Sequence, residues 1–387
     1  MALSNIKKLS IGLLSLSLLV GVATLVEYGA LLKTPLPAVS TTESVSFEVE
    51  EVAAGLEVPW SMVWTGNDRM LIAERPGRIR VFENGVLRNQ PLHTFTDVAT
   101  GGEEGLMSLA VSPSYQDDRS VYAALVYEST GKLFLKVVRL LDSAERLVVD
   151  GVVIDGIPAA RFHAGSRIAF GPDGKLYITT GDATNRADAQ NIALLVGKTL
   201  RLNPDGSIPA DNPYPLSPVW SSGHRNAQGI TWDERTGEQY QSEHGPSVFD
   251  GPAGGDEINL VVRGGNYGWP LVSHGETKEG TLAPIQMFTP AEAPGSLMSY
   301  SGDVFPEYNG NLFFGALKGE GLVRLVLSPD TADHIVSVEK LPGIVFGRIR
   351  DVAQGPDGFI YFTTSNRDGR GEPATADDRI LRLVPRL

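Results

Sequence analysis

The chain is organised around a repeated unit of two short strands joined by a polar turn. Residues 167–180 read RIAFGPDGKLYITT, and residues 351–364 read DVAQGPDGFIYFTT. In both turns Pro presets φ, Asp caps the turn and Gly accepts a positive φ, while Val, Ile, Tyr, Phe and Thr fill the flanking strands. No long helical periodicity appears beyond the N-terminal segment. This pattern predicts an all-β chain.

The unit occurs six times, starting near residues 61, 108, 167, 229, 303 and 351. A four-stranded propeller blade needs roughly 40–50 residues, and the longer spacings leave room for loops. We therefore expect a six-bladed β-propeller with four-stranded antiparallel blades over residues 45–387. The 43 Gly and 25 Pro supply its many turns. The alternative folds are a β-sandwich and a large barrel.

Residues 1–40 differ from the rest of the chain. Lys7 and Lys8 precede an uncharged apolar run over residues 9–26. A short basic stretch followed by an apolar one is typical of an export signal, and this run is also just long enough to span a bilayer. We expect a signal peptide or an N-terminal membrane anchor, then a Pro-containing linker. The protein would be periplasmic or otherwise extracytoplasmic, secreted or tethered to a membrane.

Composition and missing motifs exclude several classes of function. The chain has no Cys, so disulfides, thiol nucleophiles and cysteine-ligated metal sites are ruled out. A net charge of −13 disfavours nucleic acid as a partner, because such binders need a basic face. The sequence motifs of Rossmann and P-loop nucleotide binding, of zinc proteases and of serine esterases are absent.

Two loops carry candidate catalytic groups. His163 comes just before one strand of a predicted hairpin and Asp182 just after the other, so their side chains can meet. A carboxylate beside an imidazole fixes its tautomer, which suits a general base, although a structural His beside a turn Asp has the same spacing. Arg225 and Asn226 in SGHRN offer a cation and an amide to an anionic group.

A third loop, over residues 242–269, is rich in oxygen donors. It contains four carboxylates and many Gly residues whose carbonyls can face a ligand; the carboxylates are Glu243, Asp250, Asp256 and Glu257. Irregular backbone with many oxygen atoms is what Ca²⁺ requires. A polar surface loop has the same composition. Since Cys is absent and the six His are scattered, Ca²⁺ is favoured over a transition metal.

The order of these phrases resembles the soluble glucose/sorbosone dehydrogenase family that depends on pyrroloquinoline quinone (PQQ), especially its aldose sugar dehydrogenase branch. The resemblance runs from about residue 47 to residue 385. It rests on several motifs in the same order: VPWSMVW, GGEEGLMSLAVSP, FHAGSRIAFGPDGKLYITTGD, GHRNAQG, SEHGP, GDEINLVVRGGNYGWP, ALKGEGLVRL and GRIRDVAQGPDG. It implies a six-bladed propeller that holds PQQ and Ca²⁺ and oxidises the C1 hydroxyl of aldoses to lactones.

The resemblance also implies roles for individual residues. His163 would take the proton from the sugar C1 hydroxyl, Asp182 would orient His163, and Arg225 would stabilise the negative charge that develops on the quinone. The implied PQQ-binding set is Glu103, His163, Arg225, Asn226, Lys318, Arg348 and Arg350. Carbonyls of Gly245 and Pro246 would ligate the Ca²⁺ that polarises PQQ, while Glu257 and Tyr267 match a second, structural Ca²⁺ site. Electrons would leave to an external quinone, cytochrome or dye.

Two positions depart from the family pattern. Glu103 stands where the family usually has Gln, so a carboxylate would face an anionic cofactor. The segment before Tyr300 is short and lacks the Trp of glucose-specific members, which resembles enzymes of broad specificity. Two other functions stay open: a lactonase-type propeller hydrolase with Ca²⁺ and no quinone, and a non-catalytic propeller that binds carbohydrate or protein.

Overall fold

A computed structural model describes residues 46–386 of the protein, and the predicted export segment and linker lie outside the described residues. Within that range the chain forms six antiparallel sheets. Only three short helical turns interrupt them: α1 (Tyr115–Asp118) and two 3₁₀ turns (Arg186–Gln190 and Pro306–Tyr308). No helix in this range is both long and apolar enough to cross a membrane.

Each sheet is one blade of the propeller. Blade 1 contains β2 (Pro59–Gly66), β3 (Arg69–Glu74), β4 (Arg78–Glu83) and β5 (Val86–Leu87), with β6 (His93–Thr94) beside β4. Blade 2 contains β7 (Leu106–Val111), β8 (Ser120–Ser129), β9 (Lys132–Asp142) and β10 (Leu147–Ala159). Blade 3 contains β11 (Gly165–Phe170), β12 (Leu176–Thr180), β13 (Lys198–Leu202) and β14 (Val219–Ser222).

The remaining blades follow the same plan. Blade 4 contains β15 (Ala227–Trp232), β16 (Gln239–Glu243), β17 (Asp256–Val261) and β18 (Gln286–Phe288). Blade 5 contains β19 (Pro294–Ser299), β20 (Leu312–Ala316), β21 (Leu322–Leu327) and β22 (Ile335–Lys340). Blade 6 contains β23 (Ile349–Gln354), β24 (Ile360–Thr364) and β25 (Ile380–Pro385), with β1 (Phe47–Ala53) as its outer strand. The predicted six-bladed fold is confirmed.

Burial explains why these segments form strands. The second strand of blade 3, β12, is buried along its whole length because neighbouring blades cover both of its faces. The outer strand of blade 5, β22, alternates between half-buried and exposed residues. Apolar clusters fill the spaces between adjacent blades, for example Tyr240 and Ile258 of blade 4 against Leu297 and Phe314 of blade 5. The core is therefore a ring of inter-blade layers.

The first strand of each blade contacts the first strand of the next, so β2, β7, β11, β15, β19 and β23 enclose the centre. The ring closes in blade 6, where β1 pairs antiparallel with β25 and Phe47 faces Pro385. The Pro-Asp-Gly turns form as predicted. Gly174 adopts φ +69° and Gly358 φ +80°, the left-handed region that Gly tolerates.

One repeat boundary is wrong. The pattern places the start of the fifth unit near Asp303, but the first strand of blade 5 is β19, residues 294–299. Asp303 lies in the connection to β20, which contains the 3₁₀ turn at residues 306–308. In the sequence, the apolar residues of that connection resemble a strand. In the structure, Phe305 and Tyr308 are instead buried in an aromatic cluster around Tyr300.

Candidate active site

A cavity of about 660 Å³ opens where the chain enters the inner strands β7, β11, β15 and β19. Its volume lies within the usual range for small-molecule sites. Ten of the residues singled out in the sequence line it: Glu103, His163, Asp182, Arg225, Asn226, Gly245, Pro246, Asp250, Asp256 and Lys318. The loops of several blades thus converge on one site.

The hairpin of β11 and β12 brings His163 and Asp182 together. His163 Nδ1 lies 2.8 Å from Asp182 Oδ1, and the Asp182 side chain is fully buried. A carboxylate oxygen accepts, so Nδ1 carries the proton and the lone pair of His163 is left on Nε2. Gly181 makes this approach possible, because a Cβ at that position would overlap the His163 carbonyl.

The backbone of this hairpin is strained. His163 adopts φ +56°, a left-handed conformation that is uncommon for residues other than Gly. Ser166, Ala183 and Thr184 also have positive φ values. Such outliers persist only where surrounding contacts hold them, and they concentrate at functional sites. Here the Thr184 amide donates to Asp182 Oδ1 at 2.8 Å, which ties the strained turn to the carboxylate.

Arg225 is held by contacts on three sides. Its Nε donates to Asp250 Oδ2 at 2.8 Å, and an Nη donates to the His244 carbonyl at 3.1 Å. Its guanidinium carbon lies 5.5 Å from the ring centroid of Trp269. The Asp250 carboxylate therefore balances much of this charge while fixing the direction of the guanidinium. Asn226 is also engaged, since its Oδ1 accepts the Gly165 amide at 3.1 Å.

The other predicted cations do not all reach the cavity wall. Lys318 lines the cavity, is exposed and has no ion-pair partner among residues 46–386. Arg348 is outside the lining, because Asp368 and the Leu317 carbonyl bind its guanidinium. Arg350 is also outside it, buried behind the wall. The cavity lining thus contains Arg225 and Lys318 of the predicted PQQ-binding cations, while Arg348 and Arg350 lie outside it.

Arg350 is a buried cation with no direct ion pair among residues 46–386, although Asp368 and Glu103 are near enough to act on its charge. Its only side-chain hydrogen bond within the described range goes to the Gln228 amide oxygen, and its Nε has no partner. Burial lowers the pKa of Arg350 to about 9. A buried charge with a neutral partner is costly, so this guanidinium is suited to an anionic ligand.

Glu103 points into the cavity. Its carboxylate forms an ion pair of 2.9 Å with Arg370 and lies 3.4 Å from the His163 amide nitrogen. Burial alone would raise the pKa of Glu103, but the basic groups around it lower the pKa below the ordinary value; these are His244, Arg370, Arg350 and His163. Glu103 is therefore ionised at neutral pH and faces any anionic ligand.

Two cations that line the cavity, Arg186 and Arg370, were missed in the sequence. Arg370 lies between β24 and β25 of blade 6, the position that Lys318 occupies between β20 and β21 of blade 5. Comparing equivalent loops of successive blades would have found it. Trp269, which lies against Arg225, was also missed as a site residue because indole chemistry is not evident from spacing.

The loop over residues 244–256 brings backbone oxygens to the cavity. Gly245 and Pro246 both line it. The Pro246 carbonyl accepts the Gly254 amide at 3.2 Å, which leaves one of its lone pairs free. Asp256 fixes the loop, since its carboxylate accepts the Gly245 amide at 2.8 Å and the Ala293 amide at 2.6 Å. These carbonyls are the oxygen donors that Ca²⁺ prefers.

Glu257 and Tyr267 lie away from the cavity. Glu257 faces Glu243 across β16 and β17, and burial together with that neighbour raises the pKa of Glu257 to about 8. Asn259 donates to Glu257 at 3.1 Å while its Oδ1 has no partner in the described range. The Tyr267 ring stacks on His224 and its hydroxyl donates to the Leu260 carbonyl. The Glu257 carboxylate and the unpartnered amide oxygen are donors of the kind that Ca²⁺ requires, whereas Glu243 already accepts the Arg225 amide and lies 2.9 Å from His224 Nδ1.

Residues 56–382 match the family model described as Glucose / Sorbosone dehydrogenase. The chain belongs to this family. It is 31% identical over 366 residues to aldose sugar dehydrogenase YliI of Escherichia coli, an alignment that covers 87% of this chain and 93% of that protein. The match to the family model thus covers almost all of the described residues.

Solved structures agree. The PQQ-bound aldose sugar dehydrogenase of Streptomyces coelicolor superposes with a TM-score of 0.77 and 33% identity, over 88% of this chain and 98% of that one. The apo soluble aldose sugar dehydrogenase of Escherichia coli gives a TM-score of 0.79 and 29% identity, over 88% and 100%. These two aldose sugar dehydrogenases therefore share the fold of this chain.

Proposed function

We propose that the protein is a PQQ- and Ca²⁺-dependent dehydrogenase that oxidises the C1 hydroxyl of aldose sugars to lactones. The observation that carries this proposal is the pair of His163 with the buried Asp182 on the wall of a cavity that is bordered by cations. Oxidation at C1 removes a proton from the hydroxyl and a hydride from the carbon. A base with a fixed tautomer serves the first of these losses.

The residues of the chain have distinct tasks. His163 Nε2 accepts the hydroxyl proton, and Asp182 keeps the Nδ1 proton in place and stabilises the imidazolium that forms. Lys318 and Arg225, with Arg350 behind the wall, would bind the three carboxylates of PQQ. The Gly245 and Pro246 carbonyls would hold Ca²⁺. When bound, PQQ supplies a quinone that accepts the hydride, and Ca²⁺ polarises its carbonyl.

The direct test uses the purified full chain without cofactor. PQQ and Ca²⁺ are added, and dye reduction is followed with glucose and several other aldoses. We expect a bound-PQQ absorption spectrum and sugar-dependent dye reduction with more than one aldose. Absence of both would refute the proposal.

Two further parts of the proposal rest on the sequence. The electron acceptor would be a quinone or a cytochrome, and the protein would be extracytoplasmic.

Replacement of Glu103 by Gln should tighten PQQ binding. The carboxylate is ionised and faces the space that a tri-anion would occupy, so its removal relieves like-charge repulsion. We expect the dissociation constant to fall about tenfold. Titration of the cofactor-free protein with PQQ measures it, and Glu145→Gln, an exposed position outside the cavity lining, is the control. Equal or weaker binding by the Glu103 variant would contradict this placement of the cofactor.

Added Ca²⁺ should stabilise the protein through Glu257. An ion that binds only the folded state raises its melting temperature, here by about 5 °C at saturating concentration. Glu257→Gln removes one of the two facing carboxylates, so the rise should disappear. Glu145→Gln should retain it. Thermal melts with and without Ca²⁺, in the absence of PQQ, give the answer, and an undiminished rise in the Glu257 variant would place the ion elsewhere.

A further inference from the structure

The second oxygen of Asp182 has its own donor. Trp269 Nε1 donates to Asp182 Oδ2 at 2.8 Å, while Oδ1 interacts with His163 and the Thr184 amide. Trp269 is 6% exposed and Asp182 is fully buried. With a donor on each oxygen, the carboxylate cannot rotate without breaking a buried hydrogen bond. The plane of the carboxylate is therefore fixed from both sides.

The same indole ring also lies beside Arg225, whose guanidinium carbon is 5.5 Å from the ring centroid. Cations are attracted to the face of an indole at this range. One Trp side chain thus contacts both Asp182 and Arg225, the two residues predicted to orient the base and to stabilise charge. Their relative placement depends on where this ring sits.

The backbone of Trp269 is itself anchored. Its amide donates to the Gly223 carbonyl at 2.9 Å, and its carbonyl accepts Gln190 Nε2 at 2.7 Å. The side-chain amides of Gln190 and Asn266 exchange two further hydrogen bonds, of 3.0 and 2.9 Å. These contacts join the segment carrying Trp269 to the 3₁₀ turn at residues 186–190.

A buried cation fixes that turn in place. Lys198 is fully buried, and its Nζ donates to the carbonyls of Asp188 at 3.1 Å and Ala189 at 2.8 Å. A third carbonyl, that of Val196, accepts at 2.7 Å. All three ammonium protons are thereby used on backbone. A rigid scaffold extends from Lys198 through Gln190 to the indole.

We propose that Trp269 is a positioning residue: its indole N–H fixes the Asp182 carboxylate, and through it the orientation and tautomer of His163. The value of this for turnover rests on the proposed function, in which His163 is the base. The hydrogen-bond geometry at His163 does not rest on the proposed function, because it involves only groups of the chain itself. The two can therefore be tested separately.

The test compares two Trp→Phe variants of the full chain. Trp269→Phe removes the N–H that Asp182 accepts. Trp220→Phe is the matched control, because Trp220 Nε1 is buried and has no hydrogen-bond partner in the described range. Proton NMR of the ¹⁵N-labelled, cofactor-free protein reports the imidazole Nδ1–H of His163, assigned by its loss in a His163→Asn variant. We expect this signal in the wild type and in Trp220→Phe, and its broadening by solvent exchange in Trp269→Phe.

Kinetics supply the second readout. With PQQ and Ca²⁺, Trp269→Phe should lower kcat about 10- to 100-fold and change KM for the sugar by less than threefold, because the loss is in orientation of the base. If Trp269→Phe does not fold, benzothienylalanine at position 269 keeps the ring size and removes only the N–H. A wild-type His163 signal in Trp269→Phe, or in the benzothienylalanine variant at position 269, would overturn the inference. A lost signal in a protein whose wild type has no dehydrogenase activity would instead refute the proposed function and leave the positioning role standing.

Discussion

His163→Asn is expected to lower kcat/KM for aldose oxidation by about 100- to 10,000-fold, since the variant has no group that can accept the C1 hydroxyl proton. Asn is the suitable replacement because it tolerates a positive φ better than most residues, and His163 adopts φ +56°. The backbone strain at this position is therefore not made worse. Steady-state dye reduction at saturating PQQ and Ca²⁺ measures the effect.

The comparison needs a control and a check of cofactor binding. His93→Asn is the control, because His93 lies in blade 1, outside the cavity lining, and its Nδ1 lies 3.0 Å from the Leu147 carbonyl. It should keep full activity. PQQ affinity of the His163 variant should stay within a few-fold of the wild type. Full activity in the His163 variant would mean that the proton leaves by another route, and the assignment of the base would fall.

Arg350→Met should weaken PQQ binding by about 100-fold, the size expected when one partner of a buried charge pair is removed. The same change should stabilise the cofactor-free protein by about 3 °C, because Arg350 is a buried cation with a neutral partner and an unsatisfied Nε. The two effects have opposite signs. PQQ titration and thermal melts of the cofactor-free protein measure them.

Arg324→Met is the contrasting variant. Arg324 is equally buried but pairs with Glu339 at 3.1 Å and donates to the Glu307 carbonyl. Its removal should destabilise the protein and leave PQQ affinity unchanged. If Arg350→Met behaves in the same way, Arg350 is a structural cation, and the electrostatic argument for a bound anion in the cavity fails.

The fold was predictable because the blades repeat one local sequence pattern, two alternating strands joined by a polar turn. A Pro-Asp-Gly turn between two alternating strands locates the first strands of blades 3 and 6 to within a few residues. Blade 5 was misplaced because its inner strand reads PGSLMS, which has little β-branched content, while the following DVF segment resembles a strand. Burial of Phe305 among aromatic neighbours, a tertiary effect, decided between them.

The candidate site was predictable where local geometry determines it. His163 and Asp182 flank one hairpin, so strand pairing alone brings them together. The positions of the Arg348 and Arg350 side chains are instead determined by partners that are distant in the sequence. Asp368 from another loop accepts a hydrogen bond from Arg348, and Gln228 from blade 4 accepts one from Arg350. No periodicity in the sequence encodes such contacts, and the contact between Trp269 and Asp182 across two blades was invisible for the same reason.

The closure of blade 6 has a consequence for biosynthesis. Among the strands described above, β1 is synthesised before all the others, whereas its hydrogen-bonding partner β25 is synthesised after all of them. The ring therefore cannot close until every strand of the propeller has been synthesised, and β1 has an unpaired edge until β25 is available. A chain that lacks β25 would leave both blade 6 and the ring open, so closure of the propeller depends on its first and last strands together.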